Sequence, residues 1–141
     1  MGRLTLSQAW LEIGRLAEWF DREEQALAIP AKLAHAVRLC LEEAIDNLIN
    51  YTSVTAEGPR IDIKLDWQGD TVVAVVEDYG PPFDPRTVPT FSPTKNLETI
   101  QPGGWGIHLI RSYAREIDYT TGPEGNRLTL RFTGSAGSRS Q

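Results

Sequence analysis

Four short stretches of this 141-residue sequence carry residue types that can do chemistry together. The first runs from Leu41 to Tyr51, where Glu43 and Asn47 stand four residues apart in a helical pattern. At that spacing they stack on one flank of a helix, a carboxylate able to accept a proton beside a carboxamide able to coordinate a hard cation. Ordinary surface helices carry the same pair, so the spacing alone assigns nothing. The second stretch is Asp78-x-Gly80 at the end of an apolar strand. Its carboxylate can accept a hydrogen bond from an exocyclic amine, and its glycine lets a flat base lie against the backbone; a simple β-turn has the same composition. The third is Gly103-Gly104-x-Gly106 running into a helix, where open N–H groups and the helix dipole suit phosphate. A hinge with an N-cap uses the same glycines. It does not follow a strand as a dinucleotide fingerprint does, and no Lys-Ser/Thr pair follows it as in a P-loop. The fourth is Thr129 on the last strand, a hydroxyl able to bond a base directly or through water.

The elements that must hold these stretches can be read from periodicity. Arg3 to Leu6 makes a short strand, and Ser7 caps a helix that gives out in the acidic segment from Asp21 to Gln25. Pro30 starts the central helix, Ala31 to about Tyr51, with Val37, Leu41, Ala44 and Leu48 as its apolar stripe. After a turn-rich stretch ending at Gly58-Pro59, Ile61, Ile63, Leu65 and Trp67 alternate with Asp62, Lys64 and Asp66 as a half-buried strand. Gln68 to Asp70 turns the chain back into a β-branched strand from Thr71 to Val76. Residues 86–102 show no period and carry Pro89 and Pro93 inside them, the composition of a lid. A helix with Ile107, Leu109/Ile110 and Tyr113/Ala114 along one side follows the glycines. A hairpin then pairs Ile117–Thr121 with Leu128–Phe132 around a loop from Gly122 to Asn126. This order predicts helices on one face of a mainly antiparallel sheet, an α+β two-layer sandwich, forming a single domain over residues 1–133 with a disordered tail over 134–141.

Composition excludes several classes of function. The net charge of −5 with no basic run argues against a nucleic-acid surface. The only cysteine, Cys40, lies within the central helix pattern, so no disulfide forms within the chain and the thiol reads as core. No signal pattern or membrane-length apolar run is present, which makes cytoplasm the expected compartment. For the same reason Asn50-Tyr51-Thr52 is discounted as a glycosylation acceptor. His35 and His108 lack metal-ligand spacing.

Taken in order, the four stretches carry a resemblance. Glu-x-x-x-Asn, Asp-x-Gly-x-x-Phe-Asp-Pro, Gly-Gly-x-Gly-Ile-x-Leu-Ile and Asn-Arg-Leu-Thr-Leu together resemble the Bergerat ATP-binding fold of the GHKL superfamily, shared by gyrase, MutL and sensor histidine kinases. Within it the sequence is most similar to anti-sigma factor serine/threonine kinases of the RsbW and SpoIIAB type, over roughly Leu4 to Phe132. The resemblance implies ATP and Mg²⁺ as cofactors, with Asn47 as the metal ligand and Glu43 as the general base. It implies Asp78 on the adenine amine, with Gly80 and Phe83 at the base and Thr129 completing that pocket. Gly103, Gly104, Gly106 and Ile107 would form the phosphate box beneath the lid. It further implies a homodimer, through the first helix and sheet edge. Its partners would be a sigma factor and a STAS-type anti-anti-sigma protein whose serine is phosphorylated.

Three positions depart from the family pattern. Trp105 stands where leucine is usual, Tyr51 where histidine is common, and Asp46 where a small hydroxyl residue is common, adding a carboxylate near the expected metal site. Glu42 is not expected to compete with Glu43, because adjacent helix residues diverge by about 100°. No phosphoacceptor-histidine helix is present, so a complete sensor histidine kinase is excluded. Trp105 and Asp46 leave open a second reading, a nucleotide-binding partner-switching module with little or no transfer. Trp10, Trp19 and Phe20 fit either the dimer face or the core.

Overall fold

The computed structural model describes residues 1–7, 9–52, 60–82, 84 and 110–133, with backbone alone at 10, 11 and 50–52. The chain opens with β1 (Gly2–Leu6), whose Leu4 and Leu6 alternate inward. Helices α1 (Ala9–Glu12), α2 (Gly14–Ala26) and α3 (Ala31–Thr52) follow. Two hairpins complete it: β2 (Ile61–Gln68) with β3 (Thr71–Asp78), and β4 (Glu116–Gly122) with β5 (Gly125–Thr133). The five strands lie in the order β1-β2-β3-β5-β4, every neighbouring pair antiparallel.

The three- and four-residue spacing of α3 buries Val37, Leu41, Ala44, Ile45 and Leu48. They share one core with Ile61, Ile63 and Leu65 of β2, Val72, Ala74 and Val76 of β3, and Leu128, Leu130 and Phe132 of β5. Alternation along each strand leaves the opposite face to charge. There Glu77 pairs with Lys64 at 3.6 Å and Arg127 at 2.7 Å, and Arg131 pairs with Asp118 at 2.6 Å. One apolar face covered by helices and one polar face make the two-layer α+β sandwich expected from the sequence.

The element boundaries differ from expectation in four places. The first helix is broken at Ile13 into α1 and α2, and α2 runs through the acidic segment to Ala26. Those acids lie on its wet side, where Asp21 pairs with Arg38 of α3 at 3.1 Å. The helix ends in a Schellman turn, with Ile29 N–H donating to the Glu24 carbonyl at 3.0 Å, Ala28 N–H donating to that of Gln25 at 3.2 Å, and Ala28 at φ +53°. The β4–β5 loop has two residues, Pro123 and Glu124, rather than five, because Gly122 pairs with Gly125. The helical residues 110–113 bury Ile110 but expose Tyr113, which was expected on the inner side. Trp19 and Phe20 meet edge to face at 6.5 Å inside the core, which removes both from any outer face. The lid at 86–102 and the tail at 134–141 lie outside the described residues.

Candidate functional site

A slot opens between α3 and the sheet. Ala44, Asn47 and Leu48 of α3 form one wall, Val76 and Asp78 of β3 with Leu128 of β5 the other, and Tyr119 and Ile110 close it. Its volume is about 20 Å³, room for one water, so the walls must part for anything larger to enter. The two polar residues predicted from distant stretches, Asn47 and Asp78, meet here.

Asn47 is 2% exposed, and its Oδ1 has no hydrogen-bond partner among the described residues. Buried carboxamide oxygens are nearly always paired. An orphaned one is an acceptor awaiting a donor or a hard cation.

Asp78 is 3% exposed at the end of β3. Its Oδ2 accepts from the Gly80 backbone N–H at 3.1 Å and from Asn126 Nδ2 at 3.2 Å. Burial pushes its pKa above the ordinary carboxylate value, against the lowering effect of those two donors. Asn126 was not among the residues predicted, having been placed in the loop. It stands opposite Asp78 in the β3–β5 ladder, 4% exposed, and its Nδ2 also donates to the Gly80 carbonyl at 2.9 Å. Its Oδ1 accepts from the Thr121 hydroxyl. The signal was present in the sequence, since Asn126 falls in phase with Leu128, Leu130 and Phe132 as the one polar residue on an apolar face.

The same parity moves Thr129 away from the slot. It lies an odd number of residues from Asn126 and opposite Val75, so it shares the outer face with Arg127 and Arg131. The base-binding role implied for Thr129 is therefore not available to its side chain in this register. Glycine is also required at 125 in a way not foreseen. At φ +121°, a Cβ there would sit 2.7 Å from the Asp78 carbonyl oxygen and 2.9 Å from the Tyr79 ring.

Glu43 is one helical turn from Asn47 but borders a different space. With Glu42, Asp46, Ile13, Leu16 and Ala17 it lines a groove of about 310 Å³ between α2 and α3. Burial raises its pKa first, followed by the negative charges of Asp46 and Glu42. Asp46 joins Glu43 in this groove and lines no part of the Asn47–Asp78 slot. Glu42, paired with Arg38 at 3.2 Å, acts on Glu43 through its charge despite diverging along the helix. Cys40, beside them in the core, has its thiol pushed up to about 12, mainly by burial, which makes it inert.

Gly80 meets the slot's polar network through both its N–H and its carbonyl. On the far side of the sheet Tyr79, 51% exposed, donates its hydroxyl to Asp62 Oδ2, while Thr5 of β1 donates to Asp62 Oδ1 at 2.6 Å. Arg60 lies 5.6 Å from the centre of the Tyr79 ring and 3.4 Å from Asp62 Oδ2. Burial raises the Asp62 pKa, but Thr5, Tyr79 and Arg60 outweigh it and hold the carboxyl below its ordinary value. Phe83, Gly103, Gly104, Gly106 and Ile107, together with Trp105, lie outside the described residues.

A family model described as the histidine kinase-like ATPase domain matches residues 10–132. The chain belongs to that family. This histidine kinase-like ATPase domain is 27% identical over 100 residues to the serine/threonine-protein kinase BtrW of Bordetella bronchiseptica, covering 71% of this chain and 70% of that protein. Its fold is similar to the histidine kinase domain of the blue-light activated kinase EL346 of Erythrobacter litoralis. That match has a TM-score of 0.53 and 16% identity over 86% of this chain and 62% of that one, short of two thirds of its length. It is also similar to the catalytic domain of the histidine kinase ThkA, at TM-score 0.50 and 16% identity over 94% of this chain and 97% of that one. The expected Bergerat fold and GHKL membership are borne out, and membership makes this an ATP-binding domain of kinase type. Among the described residues no helix is long and apolar enough to cross a membrane.

Proposed function

We propose that the protein is an ATP- and Mg²⁺-dependent protein serine kinase that also acts as an anti-sigma factor, phosphorylating a serine of a STAS-type anti-anti-sigma partner. The observation that carries this is the meeting of Asn47 and Asp78 in one slot, the first with an orphaned buried oxygen, the second with one oxygen already tied by two donors. Those donor and acceptor types fit the implied cofactors: Asn47 Oδ1 would take the metal, and Asp78 would accept from the adenine amine. MgATP held there would supply the phosphoryl group, with ADP as the leaving group, and the metal would offset the charge of the phosphates. Glu43 receives the proton of the incoming serine hydroxyl from its own groove, one helical turn from the metal-binding amide. Its raised pKa brings the carboxylate nearer the operating pH and makes it a stronger base. Support for serine as the acceptor comes from the similarity to BtrW, a serine/threonine-protein kinase.

The test is label transfer from γ-labelled ATP to the STAS partner in the presence of Mg²⁺. Transfer that Glu43→Gln reduces by about a hundredfold or more is expected for loss of a general base. Absence of transfer by wild type, or undiminished transfer by the variant, sinks the kinase reading. A second reading is favoured by the separation of Glu43 from the slot: the domain binds nucleotide and switches partners without transfer. It would be chosen if wild type bound MgATP and partner but transferred no label, while Asn47→Ala lost partner binding.

A further inference from the structure

We propose that Asn126 is a positioning residue that makes this site selective for a base carrying an exocyclic amine over one carrying a carbonyl at the same place. The inference rests on the reading of Asp78 as the base-binding carboxylate. An ionised carboxylate can only accept, whereas a protonated one can donate and so can pair with a carbonyl. Which form Asp78 takes therefore decides which base edge it reads.

Asp78 is almost wholly buried, and burial alone favours the neutral acid. Two N–H donors oppose it, both on Oδ2: the Gly80 backbone at 3.1 Å and Asn126 Nδ2 at 3.2 Å. Two donors converging on Oδ2 stabilise the ionised carboxylate, the form that can only accept. The Asn126 amide is itself held in one orientation. Its Nδ2 also donates to the Gly80 carbonyl at 2.9 Å, and its Oδ1 takes the Thr121 hydroxyl. Turned over, it would set Oδ1 against both the Gly80 carbonyl and Asp78 Oδ2, acceptor against acceptor. Asn126 does not line the slot itself and reaches it through Asp78 Oδ2. Of the two donors, the Gly80 N–H belongs to the backbone and survives substitution; Asn126 is the one the sequence can change.

The experiment compares equilibrium binding of ATP and ITP, each with Mg²⁺, to wild type, Asn126→Leu and Thr121→Val. ITP carries a carbonyl where ATP carries the amine. Wild type should prefer ATP. Asn126→Leu should weaken ATP by roughly 10- to 100-fold, the loss of a hydrogen bond to a charged group, while ITP changes by less than about threefold, so the ATP/ITP ratio collapses. Thr121→Val, which frees the amide to turn while keeping its shape, should lower the ratio in the same direction by a smaller factor. Equal weakening of both nucleotides by Asn126→Leu, with the ratio kept, would overturn the proposal and leave Asn126 a structural residue. If Asn126→Leu does not fold, an unchanged ratio in Thr121→Val overturns it instead. Wild type that binds both nucleotides without preference refutes the role of Asp78. Wild type that binds neither refutes the nucleotide site itself.

Discussion

Replacing Asn47 by leucine should make the protein more stable while removing its response to MgATP. Asn47 is buried against Leu48, Leu128 and Ala44 with an Oδ1 that has no partner among the described residues, so the nucleotide-free fold carries the desolvation cost of that acceptor. That cost is about 1–3 kcal/mol. Leucine keeps the branching of asparagine, removes that cost and, its added bulk directed into the water-sized slot, places apolar carbon on an apolar wall. For a chain of this length the gain should raise Tm by roughly 3–10 °C without nucleotide. Wild type, by contrast, should be stabilised by saturating MgATP by about 2.7 kcal/mol at a hundredfold excess over Kd. Thermal unfolding of both proteins, with EDTA and with MgATP, measures the two effects together. The order should invert: leucine variant higher in EDTA, with no further rise in MgATP. A variant less stable than wild type would show that Oδ1 carries no unpaid cost. A variant that still responds to MgATP would show that Asn47 does not hold the metal.

Other substitutions probe the elements around the slot. Ala28→Gly relieves a left-handed residue at the end of α2 and should stabilise by about 0.5–1 kcal/mol after the loss of chain entropy, seen as a small rise in Tm. Gly125→Ala meets both an unfavourable φ and the Asp78 carbonyl, and should cost about 2 kcal/mol or more while weakening nucleotide binding, measured by denaturant unfolding and calorimetry. Asp78→Asn should abolish the ATP-induced shift yet stabilise the nucleotide-free protein at neutral pH. Because the folded pKa of Asp78 is raised, the native state holds the proton more tightly than the unfolded chain, and wild-type stability falls as pH rises from the unfolded carboxylate value through the folded one. The advantage of Asp78→Asn should therefore grow across that window and level off above it. An advantage that instead grew toward acid pH would contradict the sign.

What the sequence made legible was local. The stripe Val37, Leu41, Ala44, Leu48 and the alternation from Ile61 to Leu65 are patterns of one element against one core, and both elements stand where those patterns put them. Asp78 was legible because it ends an apolar strand. Asn126 was missed because the stretch from Thr120 to Asn126 is rich in turn residues and its loop length depends on pairing with β3 and β4; Thr129 was placed by resemblance, against the alternation with Leu128 and Leu130 that turns it outward. The acids of α2 read as a helix end because no local signal announces a partner seventeen residues on, Arg38 for Asp21. The place of Glu43 was hidden for a related reason: i and i+4 residues share a flank, yet that flank borders two spaces, and which residue meets which depends on how α2 packs.

A single carboxylate, Asp62, takes one hydroxyl from the edge strand and another from the tyrosine between Asp78 and Gly80. Fraying of the first strand would therefore remove one of the two hydroxyls that hold Asp62, whose other partner sits in the base-reading turn. A protein shortened by its first six residues should bind nucleotide more weakly although none of the missing atoms touches the slot.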